Sequence, residues 1–204
     1  VVIDKLNDVL IDVLQEVGNI GSGNAATALS TMINKKVDMN VPQIKVLEFK
    51  DVLDVLGDAE EPVVGIYFGL EGDLEGNIMF VLDMDSSKNL VNMLFGRMDG
   101  GELELNEMDM SALSEVGNIL SASYANSLSM MTGLALKVTV PSICVDMAGA
   151  VISVPAIQFG ITGDHAIFIE TQFLQDENEI KGDIFLIPEV DSFEKLLRTL
   201  GVDM

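Results

Sequence analysis

The residues Glu-Val-Gly-Asn-Ile occur twice in this chain, at 16–20 and at 115–119. Each copy sets a carboxylate three positions ahead of a carboxamide: Glu16 with Asn19, and Glu115 with Asn118. Asp12 and Ser111 stand four residues before the glutamates, and Pro42 and Pro141 stand twenty-three residues after the asparagines. An asparagine amide does not titrate, so it is no general base. It donates and accepts hydrogen bonds, so it can hold a water in place. A glutamate one turn away can hold a cationic group of a partner. Aligning an attacking water is a contribution that phosphoryl transfer uses. The same spacing also describes the solvated face of an amphipathic helix. The copies diverge at Gln15 against Ser114 and at Asn24 against Ser123, while Glu and Asn stay identical; that pattern weighs toward a shared task. Gly18 and Gly117 flank the asparagines, and an interior helix glycine costs about 1 kcal/mol relative to alanine. They either clear bulk so that the amide can enter a partner's pocket, or mark a place where two helices cross.

Other chemistry is sparse. Gly21-Ser-Gly-Asn-Ala-Ala26 fits a loose dinucleotide-binding pattern, but it falls inside a helical segment with no strand before it. The second copy puts Leu120 and Ala122 in place of the two glycines. Small residues allowing close approach to another helix explain it better. The one histidine, His165, lies in an apolar, strand-like run and reads as structural. With one histidine and one cysteine, Cys144, no metal site of the His/Cys type is expected. The twelve methionines are expected to fill the core.

These residues need two long helices to carry them. Residues 12–42 and 111–141 align without a gap and share thirteen of thirty-one positions, against about two expected by chance from ordinary composition. The chain is an internal duplication. Leu6, Leu10, Val13, Val17 and Ile20 recur at three- and four-residue steps, predicting a helix over 4–34 with Asp12, Glu16 and Asn19 aligned on one face. The second helix is predicted to start at Asn106, an N-cap with Asp109 three residues on, and is backed by Leu113, Val116 and Leu120. Strands are predicted before each proline, at 36–41 and 136–140, with the proline at a strand end or edge. Hairpin strands follow at 63–70 with 77–82, and at 165–174 with 183–187. Short helices at 86–95 and 192–200 end at Gly96 and Gly201. Strands in succession favour an antiparallel sheet and an α+β fold. The expected organisation is one domain over 1–204 made of two similar halves, 1–99 and 100–204, joined near Gly100 and Gly101. The halves differ most after the proline: 50–62 is acidic, while 148–161 is apolar and is expected to fill the core.

Among 204 residues, 33 acidic side chains face 11 basic ones, a net charge of −22. That repels nucleic acid and argues against anionic membranes. The longest apolar run, near 148–155, is far short of the roughly 18 residues of a membrane span. The first residues show no signal-peptide pattern and no initiator methionine. A single cysteine fits a reducing cytoplasm, the expected location.

The pattern [Asp/Ser]-x-x-x-Glu-x-x-Asn, then 22 residues, then Pro, present twice, resembles the CheC family of chemotaxis phosphatases, within the CheC/CheX/FliY group. The likeness extends to the Gly-Asn-Ile-Gly-x-Gly-Asn-Ala-Ala-Thr-Ala stretch at 18–28, to 32–37, and to Asp146-Met147. The resemblance implies a pseudo-twofold α+β fold and an enzyme that hydrolyses the aspartyl phosphate of the response regulator CheY. Asn19 and Asn118 would align the water, and Glu16 and Glu115 would pair with a receiver lysine. Asp12, Ser111, Pro42 and Pro141 would support the motif. No cofactor would be bound by the chain itself, because the Mg²⁺ would belong to the receiver. Many family members also bind the deamidase CheD, a second partner that the resemblance brings in. The alternative is a non-catalytic adaptor that binds CheD or phosphorylated CheY, or a flagellar switch component.

Overall fold

A computed structural model describes residues 3–97, 104–159, 165–175 and 178–201. The joint expected near Gly100 and Gly101 lies outside the described residues. Helix α1 spans Ile3–Ile33, within a residue of its expected bounds, and α4 spans Glu107–Thr132, starting where expected. Helix α4 starts as its sequence dictates. The Asn106 side chain accepts from the Met108 and Asp109 amides, and the Asp109 carboxylate accepts from the Asn106 amide. The other oxygen of Asp109, a residue only 1% exposed, takes Arg97 Nη1 at 2.8 Å. Both sides of the joint are thereby pinned to one helix end.

The sheet is antiparallel throughout, and its strands are β1 (Asp38–Asn40), β2 (Ile44–Glu48), β3 (Pro62–Gly72), β4 (Gly76–Asp83), β5 (Leu136–Val138), β6 (Ser142–Met147), β7 (His165–Gln175) and β8 (Asn178–Pro188). Its order is β1-β7-β8-β4-β3-β5, with β2 also on β7 and β6 also on β3. Exchanging each first-half strand for its second-half equivalent reverses this order and leaves it unchanged. The first-half edge strands β1 and β2 therefore pair with second-half β7, and β5 and β6 pair with first-half β3.

Alternation along the strands gives two apolar faces. On one, Ile66, Phe68, Phe80, Ile169 and Phe173 pack under α1 and α4, joined by α3 (Met84–Phe95) and α6 (Val190–Thr199). On the other, Tyr67, Met79, Phe168 and Phe185 meet α2 (Val52–Leu56) and α5 (Ala148–Phe159). The apolar stretch after Pro141 is thus a helix that fills a second core. Helix α3 starts on an Asp83 cap and ends on left-handed Gly96.

Three sequence expectations are corrected. Met32, Met108, Met130, Met131 and Met147 are exposed, because they fall near element ends off the core-facing stripes; Met39, Met79 and Met93 are buried. Leu14 rather than Val13 or Ile20 completes the buried stripe of α1 with Leu10 and Val17. Gly18 and Gly117 do not open space for their neighbouring amides. A Cβ on Gly18 would lie 2.8 Å from Ile44 Cδ1, and one on Gly117 would lie 3.1 Å from Ile66 Cγ2. Both glycines let a helix lie close to the sheet. The helix crossing uses Gly21 instead, whose Cβ would lie 2.6 Å from Tyr124 Cδ1.

Candidate functional site

On α1, the buried stripe holds one face against the sheet, so Asp12, Glu16 and Asn19 are turned outward, and all three are exposed. On α4, Ser111 and Glu115 are exposed and Asn118 is half-buried. Two Glu/Asn pairs, one fully exposed and one with its asparagine half-buried, thus lie on two helices packed against each other.

Each proline sits in the same backbone feature. Asn40 pairs with Gln172 and Ile44 pairs with Ile169, so four steps on the edge chain span three on β7. Val138 pairs with Leu70 and Ser142 with Tyr67, the same four against three on β3. Pro42 and Pro141 lie in these one-residue bulges, where a residue without an N–H leaves no ladder bond unmade. At the first copy the bulge meets the helix. Asn19, Ser22, Asn40, Val41, Pro42 and Gln172 share in lining an open depression of about 500 Å³. Asn19 and Pro42, far apart in sequence, are brought together there; Asp12 and Glu16 lie on the same helix face but do not line it.

The two copies are not chemically identical. Gln15 Nε2 donates to the Val41 carbonyl at 3.1 Å, tying the bulge to α1. Ser114, its counterpart, is too short for this. Val41 is 8% exposed, whereas Val140 is 86% exposed. Asp12 presents a carboxylate, whereas the Ser111 hydroxyl donates to the Glu107 carbonyl at 2.8 Å. Ser22 donates to the Asn19 carbonyl at 3.0 Å; its counterpart Ser121 is buried without a partner among the described residues.

Neither Glu16 nor Glu115 is in an ion pair among the described residues, so both carboxylates face outward for a partner. No group of three or more His, Cys, Asp or Glu among the described residues is arranged to hold a metal ion. His165 stacks on Phe193 with ring centroids 5.1 Å apart. Cys144 Sγ lies 3.7 Å from the Tyr67 hydroxyl, which donates to the Val151 carbonyl. The glycine-rich stretch at 21–26 is helical throughout, which removes the dinucleotide-loop reading. No helix among the described residues is long and apolar enough to cross a membrane.

Sequence reasoning treated Gln15 as a divergent neighbour and missed its bond, though its place directly before Glu16 was a signal. Gln172 carried no signal, because only β1–β7 pairing brings it near Asn19.

The profile of the CheC-like family matches residues 11–46 and 108–145, the two segments that hold both stripes and both prolines. The chain is 39% identical over 198 residues to the "CheY-P phosphatase CheC" of Bacillus subtilis, covering 95% of each chain. It is 28% identical over 142 residues to the "Flagellar motor switch phosphatase FliY" of the same organism, spanning 69% of this chain and 37% of that protein. Among solved structures, Thermotoga maritima FliY superposes with a TM-score of 0.73 at 23% identity, covering 94% of this chain and 95% of that one. That likeness extends the shared fold to the flagellar branch. With two profile matches on the duplicated helix–bulge units and end-to-end identity to a CheC, the chain belongs to the CheC-like family.

Proposed function

We propose that this protein is a phosphatase that hydrolyses the aspartyl phosphate of the response regulator CheY. The observation that carries the reading is the pair of outward-facing Glu/Asn sets, Glu16 with Asn19 and Glu115 with Asn118, each on a helix backed by a bulged proline. The end-to-end identity to a protein named for CheY-P phosphatase activity supports it.

In this reading a helix face docks over the receiver's phosphoaspartate. The asparagine amide holds a water in line with the phosphorus. The water oxygen forms a bond to phosphorus as the bond from phosphorus to the aspartyl oxygen breaks, releasing a carboxylate and inorganic phosphate. The amide takes no proton; its contribution is alignment and exclusion of unproductive water orientations. Glu16 or Glu115 pairs with a lysine of the receiver and fixes the approach. Mg²⁺ is held by the receiver's own acidic site. Asp12, Ser111 and the two prolines shape the surface rather than touch the phosphorus. The same reading makes this a cytoplasmic protein, with CheD as a second partner whose addition changes the decay rate.

The test is the decay of phosphorylated CheY with Mg²⁺ present. The intact protein is expected to shorten the lifetime at substoichiometric concentration. Glu16→Lys with Glu115→Lys is expected to raise KM at least tenfold by placing like charges against the receiver lysine. Tight binding of CheY-P with an unaltered lifetime would favour the adaptor instead.

A further inference from the structure

We propose that Gln15 is a positioning residue of the first site, holding the Val41–Pro42 bulge against α1 so that the partner meets a preformed rim, and that the second site works without such a latch. The inference rests on the phosphatase reading for its kinetics, but not for its geometry. Gln15 immediately precedes Glu16 and points along the helix toward the bulge, where its amide donates to the Val41 carbonyl at 3.1 Å. That carbonyl belongs to the peptide bond leading into Pro42. Within a bulge it is freed from the regular ladder, and a side-chain donor can satisfy it.

The consequence is visible in Val41. Its side chain turns inward, 8% exposed, and would lie 3.3 Å from a Cβ on Gly18. At the second copy the donor is replaced by Ser114, whose hydroxyl is two bonds shorter in reach. There Val140 turns outward, 86% exposed, and the space over Gly117 is taken by Ile66 and Phe68 of β3. One sequence difference inside the motif thus separates a latched site from an unlatched one. Gln15 acts on the docking rim and not on the water, so its loss changes KM more than kcat.

The test uses full-length protein with one site silenced at a time, Asn118→Ala to isolate the first and Asn19→Ala to isolate the second. Gln15→Met keeps the length and removes the donor; Gln15→Lys keeps a donor that can reach the same carbonyl. In the first-site protein, Gln15→Met is expected to raise KM for CheY-P about tenfold with kcat within twofold, and Gln15→Lys to restore KM to within twofold. In the second-site protein, Gln15→Met is expected to change neither. An unchanged KM, an equal rise in both backgrounds, or no rescue by lysine would each overturn the proposal. Affinity for the receiver activated with beryllofluoride is measured on the same variants. If no form of the protein shortens the CheY-P lifetime, the phosphatase reading fails, while a tenfold affinity loss with methionine and its recovery with lysine still supports the latch. Equal affinities for all three would then remove the latch as well.

Discussion

An amide neither gains nor loses a proton at working pH, so in the proposed mechanism Asn19 and Asn118 contribute by position alone. Exchanging the amide for a carboxylate keeps its size and adds a charge that repels the phosphoryl oxygens. Asn19→Asp with Asn118→Asp is therefore expected to abolish acceleration of CheY-P decay while leaving the melting temperature within a few degrees. A distant residue carries the clearest pH signature. Asp183 of β8 pairs with Glu170 of β7, and Asp83 lies on the same face. Burial first, and then these two carboxylates, push its acid group up to about 7 from an ordinary 3.8. The folded state thus holds this proton where the unfolded chain has released it. The contribution of this group to stability is fully present below about pH 4, falls as pH rises toward 7, and is flat above. Asp183→Asn is expected to stabilise by about 2 kcal/mol at pH 8, discounting for partial exposure, with the gain vanishing near pH 4 in urea titrations. At this scale the sequence was most legible for the stripe residues, since helical phase alone turns Asp12, Glu16 and Asn19 to one side. It was least legible for Gln15 and Asp183, whose environments come from contacts that cross between strands and helices.

Helix crossing and helix starts are the elements' own problem. Gly21 meets Tyr124 at the crossing of α1 and α4, while the equivalent positions Leu120 and Ala25 carry the opposite sizes and are fully buried. The pseudo-twofold crossing is filled by exchanging large for small. Gly21→Leu is expected to cost about 2 kcal/mol by overpacking, and Tyr124→Ala in the same chain to recover part of it; simple additivity of the two costs would contradict this pairing. Asp109 serves both the capping box and the Arg97 ion pair. Its replacement by alanine is expected to cost about 2–3 kcal/mol, read from the urea midpoint. Long periodic helices and the Asn106 cap could be read from sequence because their signals are local. Strand β3 could not be read as one-sided: Val-Val-Gly-Ile-Tyr-Phe-Gly-Leu is buried on both faces, so no alternation marks it. Strand β8 starts five residues earlier than its apolar run, because 178–182 extend the hairpin against β7 with only Ile180 turned into the core between exposed Glu179 and Lys181.

The whole molecule is knitted across its repeat. Each helix–bulge unit belongs to one half, but its edge strands pair with a strand of the other. Duplication was legible in sequence; this exchange of edges was not, because pairing partners leave no mark on a local pattern. It has a direct consequence for folding. Residues 104–204 expressed alone are expected to lack a cooperative thermal transition, and co-expression with 1–97 is expected to restore one; a folded isolated half would contradict the exchanged pairing. A net charge of −22 favours a partner whose docking face is basic.

The most direct measurement is the lifetime of phosphorylated CheY with the intact protein, with Asn19→Ala, with Asn118→Ala and with both changes together. Intact protein is expected to shorten the lifetime, each single variant to keep part of that effect, and the double variant to lose about 100-fold of the acceleration while still binding CheY-P. Acceleration that persists in the double variant would contradict the role assigned to the two amides.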